Sequence, residues 1–123
     1  MMPLSKTMNV EKVKYALWAH DWEACVNFYE TLFSGKVTLR MEVWSEVHIA
    51  NGIIGIHGGG EEKERRWTGL TFQMDDLRAA IDQLKEHGGE LTSEPVDTPE
   101  DPLHLAMCVD PCGNEFMMTQ KRH

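Results

Sequence analysis

The sequence lacks the features that mark membrane proteins and disulfide-rich secreted proteins. Its 123 residues contain no apolar run near the roughly 20 residues that a membrane-spanning helix needs. The first residues have no apolar core of a signal peptide. Only three cysteines are present, and an odd number cannot form a fully paired disulfide framework. We therefore expect a cytoplasmic protein with no membrane partner.

Basic residues are also scarce. Lys and Arg number 12 against 20 Asp and Glu, which gives a formal net charge of −8. Proteins that bind nucleic acids present a basic face, so we expect no nucleic-acid partner. The sequence has no Gly-x-Ser-x-Gly elbow, no P-loop and no Gly-x-Gly-x-x-Gly motif opening a helix. None of these motifs is therefore present to indicate a reaction.

The cysteines indicate neither a metal site nor a nucleophile. His104, Cys108 and Cys112 would supply three zinc ligands, but a strand followed by a proline turn has the wrong geometry and a fourth ligand is missing. Cys112 lies in a predicted exposed turn without a basic neighbour. We expect it to be an inert surface thiol.

The sequence contains the same order of predicted strands and helix in each of its two halves. Residues 13–19 alternate in polarity and predict a strand. A helix follows, with Asp21 as its N-cap and Gly35 at its end. Asn51-Gly52, between two β-rich runs, predicts a two-residue hairpin turn. The first half therefore reads as a strand, a helix and three strands.

The second half repeats this order. A strand from Trp67 leads to a helix that Asp76 caps and Gly88 ends, and three further strands follow. We predict a single domain over 1–123, with module one at about 10–60, a charged connector at 61–66 and module two at about 67–121. The length suits one core.

Two β-α-β-β-β modules, with "DWEACVNFYETLF" early and "DPCGNEF" late, resemble the vicinal oxygen chelate superfamily. That group includes glyoxalase I, extradiol dioxygenases, and bleomycin and fosfomycin resistance proteins. The resemblance implies an α+β fold of two tandem modules. Their curved mixed sheets would cup a site, the helices would lie on the outer faces, and the protein would be a homodimer.

By the same resemblance, the metal ligands of the family are lost. The four ligand positions fall on Lys14, Gly55, Gly69 and Met117. A protonated Lys repels a cation and Gly has no side chain. A thioether suits soft copper rather than the hard or borderline ions of this family. We therefore expect no metal cofactor.

Several polar and aromatic residues are candidates for contacts with a ligand. If Asn51-Gly52 forms a two-residue turn, paired residues of the hairpin sum to 103, which sets His48 opposite Gly55 and Glu46 opposite His57. The resemblance makes this face the concave one. The candidate ligand-binding residues are Lys14, Trp18, Trp44, Glu46, His48, His57 and Met117.

Three interpretations of these residues stay open. The first is a metal-free protein that binds a small molecule in its cup, as bleomycin-resistance proteins do. The second is a lyase or dioxygenase with relocated metal ligands Glu46, His48 and His57. The third is metal-free catalysis, with His48 or His57 as base and Lys14 stabilising an enolate. We favour the first and leave the ligand unnamed.

Overall fold

Two four-stranded sheets, each with one helix, make up the computed structural model, which describes residues 8–60 and 64–122. The first module comprises β1 (Lys14–Ala19), α1 (Trp22–Leu32), β2 (Lys36–Leu39), β3 (Ser45–Ile49) and β4 (Gly52–Gly58). The second comprises β5 (Arg66–Gln73), α2 (Leu77–Glu86), β6 (Glu90–Leu91), β7 (Leu105–Val109) and β8 (Asn114–Thr119). The predicted α+β fold of two tandem β-α-β-β-β modules is confirmed.

The two sheets have the same topology. Their strand orders are β1-β4-β3-β2 and β5-β8-β7-β6. In each sheet the first strand pairs with the last in parallel, and the other pairs are antiparallel. The repeat in the sequence is therefore a repeat in structure, with mixed sheets as predicted.

Both helices begin at the predicted caps. The side chain of Asp21 accepts a hydrogen bond from the Ala24 amide at 3.2 Å, and Asp76 accepts one from the Ala79 amide at 3.1 Å. Each bond satisfies one of the amides that a helix start leaves free. In the described part of the chain, no helix has the length and apolarity needed to cross a membrane.

Two local predictions, on the end of α1 and on the hairpin turn, need correction. Helix α1 ends at Leu32, and the residue with the positive φ after it is Ser34, at 51°, rather than Gly35. Gly35 instead lets the Val47 side chain approach. The hairpin turn consists of Ala50 and Asn51, and Gly52 already pairs with Ile49.

A third correction concerns the connector predicted at 61–66, whose last residue already belongs to a strand. Arg66 opens β5, so module two begins there, and residues 61–63 lie outside the described residues.

The two modules share one aromatic core. The ring of Phe33, at the end of α1, stacks on Phe72 of β5 with centroids 4.0 Å apart. Phe28 and Tyr29 of α1 both pack against Phe116 of β8, at 6.1 Å. Helix α1 thus covers apolar surface of both sheets, and burial of such aromatic rings is a large part of core stability.

A buried carboxylate lies beside this core. Asp110, just before the turn that leads into β8, is 1% exposed. Its Oδ2 accepts hydrogen bonds from Tyr29 Oη at 2.8 Å and from Asn114 Nδ2 at 2.9 Å. Its Oδ1 accepts from the amides of Cys112 at 2.8 Å and Asn114 at 3.0 Å. The "DPCGN" turn is therefore anchored to helix α1 of the other module.

We predict that Tyr29→Phe lowers the free energy of unfolding by about 1–3 kcal/mol, because a buried acceptor loses one of its donors. Urea denaturation measures the change. Tyr15→Phe is the matched control, since the Tyr15 side chain is 45% exposed and should change stability by less than about 0.5 kcal/mol. Equal effects of the two substitutions would contradict the structural role of the Tyr29 hydroxyl.

The effect of Tyr29→Phe on the free energy of unfolding should also depend on pH. Burial, with a further contribution from Asp110, raises the pKa of Tyr29 well above its ordinary value. The folded state therefore keeps a proton that the unfolded state loses above pH about 10, so this stabilisation is full below that pH and is lost as the pH rises further. The stability difference between wild type and Tyr29→Phe should therefore shrink above that pH.

Candidate ligand-binding site

Side chains of β1, β3 and β4 alternate between the core and an accessible face of the first sheet. Leu17, Val47 and Ile56 point into the core. The opposite face, here called the cup face, is formed by Lys14, Ala16, Trp18, Glu46, His48, Ile53, Gly55 and His57. The predicted sharing of one face by these candidate residues follows from strand alternation.

At one end of the cup face, an ion pair is supported by an indole. Lys14 Nζ donates to Glu46 Oε2 at 2.6 Å, and Trp44 Nε1 donates to the same oxygen at 2.7 Å. The hydrogen bond from Lys14, followed by that from Trp44, lowers the pKa of Glu46. The Lys14 side chain is 40% exposed and that of Glu46 only 12%. The ammonium is therefore the accessible member of the pair.

Gly55 creates the space that the Trp44 ring occupies. A Cβ atom built on Gly55 would lie 2.0 Å from Cζ2 and 2.1 Å from Cη2 of Trp44. No side chain larger than hydrogen fits there while the ring keeps its place. Trp44 precedes β3 rather than extending it, so its ring reaches the cup face from the preceding loop.

A second aromatic pair lies further along β1 and β4. The rings of Trp18 and His57 are 4.4 Å apart between centroids, and Trp18 is 51% exposed. His57 Nδ1 is buried and has no hydrogen-bond partner among the described residues. Buried polar atoms are nearly always paired, so this nitrogen is a place where a bound molecule or water would supply a contact.

The two remaining candidates lie in different sheets. His48 is on the cup face, where it pairs in register with Lys36 and with Ile53, the residue that also pairs with Lys14. Met117 belongs to the second sheet, where it pairs with Met107 and Thr71. Met117 is thus not part of the cup face of the first sheet.

The hairpin register differs from the predicted one by two residues. Glu46, rather than His48, lies opposite Gly55, and His57 pairs with Trp18 of β1. A shift of two leaves every side chain on its predicted face, because side-chain direction repeats every two residues.

The relocated metal site is not assembled. Glu46 Oε2 already accepts from Lys14 and Trp44, and His57 packs against Trp18. In residues 8–60 and 64–122, no three His, Cys, Asp or Glu side chains are grouped so that they would hold a metal ion. The alternative with Glu46, His48 and His57 as ligands therefore lacks its geometry.

The cup face is open. Two cavities in the described part of the chain measure about 670 Å³ each, and neither is lined by Lys14 or Glu46. One lies between β1, β5 and the end of α1, and the other lies beside Trp18, His20 and Arg66. A ligand on the cup face would be covered from one side only by this chain.

Comparison with known proteins matches this architecture. A family model described as the Glyoxalase/Bleomycin resistance protein/Dioxygenase superfamily matches residues 13–118. The chain belongs to this superfamily. No curated protein matches it.

Solved structures share the superfamily fold at low identity. The fosfomycin resistance protein FosX from Listeria monocytogenes is 17% identical, with a TM-score of 0.74 over 94% of this chain and 96% of that one. The antibiotic binding protein TnmS3 from a Streptomyces species is 22% identical, with a TM-score of 0.66 over 94% and 100%. A superfamily member from Sphaerobacter thermophilus is 18% identical, with a TM-score of 0.72 over 94% and 100%. These likenesses show the fold.

Two features of the site escaped the sequence analysis. The contact between Trp44 and Gly55 was one, although a glycine inside an apolar strand is itself a sign of close approach. The other is Arg66, which was assigned to a solvated connector. Its guanidinium donates to the Trp18 carbonyl at 3.2 Å and to Asn114 Oδ1 at 3.1 Å, and so joins the cup face to the second module.

We predict that Gly55→Ala displaces the Trp44 indole, because the new methyl group would overlap the ring. The loss should be about 1–3 kcal/mol of unfolding free energy, the usual cost of overpacking. It should also shift the indole N–H resonance of Trp44, assigned with Trp44→Phe.

Gly52→Ala in the same strand is the control, since its added Cβ meets only the Ile49 carbonyl oxygen at 3.6 Å. An unchanged Trp44 resonance in Gly55→Ala, with stability equal to that of the control, would refute this packing.

Proposed function

We propose that this protein binds a small molecule on the cup face without a metal ion. The observation that carries the proposal is the ion pair of Lys14 and Glu46, with Trp44 on the same carboxylate oxygen. The resemblance to the superfamily puts a metal ligand at Lys14 and another at Gly55. Here a fixed ammonium and an indole ring occupy that region instead.

The donor chemistry supports a metal-free site. An ammonium repels a cation, and Gly55 and Gly69 offer no side-chain ligand. The Lys14 ammonium instead supplies a positive charge of the protein's own. Lys carries three N–H donors, and Glu46 accepts one of them, which leaves two for a ligand.

The exposures of the ion pair favour a ligand with an oxygen-rich or anionic end. Lys14 is accessible, whereas Glu46 is covered by Lys14 and Trp44. The net charge of −8 acts at long range and is screened over about 8 Å at physiological ionic strength, so a direct contact with Lys14 outweighs it. The exposed ring of Trp18 offers a surface for a planar part of the ligand.

The similar structures support a role in small-molecule recognition. FosX is named as a fosfomycin resistance protein, and TnmS3 as an antibiotic binding protein. A FosX variant was crystallised with manganese(II) and 1S,2S-dihydroxypropylphosphonic acid, so the fold also accommodates a metal. The difference for this chain therefore rests on its own residues at the site.

We further propose that a second copy of the chain closes the cup in a homodimer. The cup face is open, and Trp67 on β5 of the second sheet is also 53% exposed. Met117 and Glu115 lie partly exposed on β8. Two-fold dimers are the commonest oligomers, and a partner's second sheet facing the cup would bury both surfaces. The acidic charge supports neither nucleic acid nor an anionic membrane as a partner.

Native mass spectrometry of protein purified without chelators tests the binding, the metal and the assembly together. We expect a dimer of about 28 kDa, twice the chain mass of 14.1 kDa, with no stoichiometric zinc, nickel, iron or manganese. Any retained adduct should be an organic molecule. A stoichiometric metal that disappears in His48→Ala or His57→Ala would replace the proposal with the relocated metal site, and a monomer at tens of micromolar would refute the dimer.

The role of Lys14 is testable with two probes that share one ring system. 1-Anilinonaphthalene-8-sulfonate carries an anion, and N-phenyl-1-naphthylamine lacks it. Lys14→Met should weaken binding of the sulfonate by about 1.5–3 kcal/mol, roughly 10–150-fold, because a charge-assisted hydrogen bond is lost. Probe fluorescence measures both affinities, and binding of the uncharged probe should change little.

Lys85→Met, at the exposed end of α2, controls for general loss of charge. If Lys14→Met leaves the sulfonate affinity unchanged, or weakens it no more than Lys85→Met does, the proposed ligand class is wrong.

A further inference from the structure

Two of the three cysteines meet where the modules join. The Cys112 Sγ lies 3.2 Å from the Asp21 carbonyl oxygen, and the Cys25 amide donates to that same oxygen at 3.1 Å. The Cys25 Sγ contacts Asp110 Oδ2 at 3.7 Å, and the Cys112 amide donates to Asp110 Oδ1 at 2.8 Å. The two residues therefore share the same two neighbours, Asp21 and Asp110, each through one sulfur and one backbone amide.

The sequence did not indicate this contact. Cys112 was expected to be an exposed and inert thiol, but it is 1% exposed, and Cys25 is fully buried. They are 87 positions apart and belong to different modules, so only the packing of α1 against the "DPCGN" turn brings them together.

Cys108 provides an internal contrast. It is buried in β7, where its Sγ contacts the Ala106 carbonyl oxygen at 3.6 Å. Desolvation raises the pKa of Cys108 to about 12, so it is almost entirely an unreactive thiol at neutral pH.

We propose that Cys25 and Cys112 are a site of oxidative modification, where a hydroperoxide converts the two thiols into an intramolecular disulfide. The disulfide would join helix α1 to the turn before β8, and hence module one to module two. This inference does not depend on the proposed ligand-binding function.

The surroundings of the two sulfurs assign their roles. The neighbouring Cys25 side chain lowers the pKa of Cys112, whereas the Cys112 side chain, followed by burial, raises the pKa of Cys25. The Cys112 sulfur lies 3.2 Å from the carbonyl oxygen of Asp21, the N-cap of α1. Cys112 is therefore the thiol that reacts first.

The oxidation balances in two steps. The Cys112 thiolate attacks one peroxide oxygen, the O–O bond breaks, and the leaving oxygen departs as water or alcohol after protonation, which leaves a sulfenic acid. The Cys25 sulfur then attacks the Cys112 sulfur. The S–S bond forms, the S–O bond breaks, and the hydroxide leaves as water with the proton of Cys25. Two thiols are oxidised and one peroxide is reduced.

Treatment of the folded protein with hydrogen peroxide, followed by alkylation and peptide mass mapping, tests the proposal. We expect a loss of about 2 Da, reversed by dithiothreitol, and a cross-link between the peptides of Cys25 and Cys112. Fragmentation at the Asp110–Pro111 bond separates Cys108 from Cys112 and so assigns the partner. Closing so long a loop should also raise the Tm by about 5–15 °C.

Three variants complete the test. Cys108→Ala should leave the cross-link unchanged, whereas Cys25→Ser should abolish it and leave a Cys112 sulfenic acid that dimedone traps. Cys112→Ser should abolish both products. Three free thiols after oxidation of the folded wild type, or a cross-link through Cys108 or between chains, would overturn the proposal. The mapping of the wild type decides this even if a serine variant fails to fold.

Discussion

The buried carboxylate of Asp110 is the constraint on which the joining of the two modules depends. It takes a hydroxyl hydrogen bond from Tyr29 of the first module, and amide hydrogen bonds from Cys112 and Asn114 of the second. A carboxylate removed from water is costly unless its oxygens are paired, so these donors must all be in place at once. The sequence of the turn is restricted because the turn must bind a helix from the other half of the chain.

The same turn reaches the cup face. Asn114 Nδ2 donates to the Trp18 carbonyl oxygen at 2.8 Å, and Arg66 donates to that oxygen as well. Trp18 is the next-to-last residue of the edge strand β1, and these two donors fix the backbone that carries the ring packed against His57. The position of an aromatic surface on the first sheet is therefore controlled by residues of the second module.

At the other end of the cup face, a coupled set of residues occupies the region that the superfamily resemblance associates with a metal. The ammonium of Lys14 supplies the positive charge, Glu46 holds it, and Trp44 both donates to Glu46 and covers Gly55. Each depends on the others, since the indole needs the missing side chain at position 55 and the carboxylate needs both donors. Because these residues depend on one another, we interpret them as one organised group rather than as independent losses of metal ligands.

Much of this protein follows from local sequence alone, because helix caps, turns and strand alternation depend on near neighbours. The caps Asp21 and Asp76, the two α+β modules, and the face shared by Glu46 and His57 could all be read in this way, whereas the place of Lys14 on that face was implied by the superfamily resemblance. The register of the hairpin could not, since Ala50-Asn51 and Asn51-Gly52 both preserve the alternation and only packing of the whole sheet selects between them.

Tertiary structure alone decided which of these residues touch. It places the Trp44 ring against Gly55, puts Arg66 in β5 rather than in a connector, and buries Cys112 against the start of α1. It also left Met117 on a separate sheet. These contacts join positions that are distant in the chain, and their geometry is determined by close packing of the complete core rather than by any local preference of the backbone.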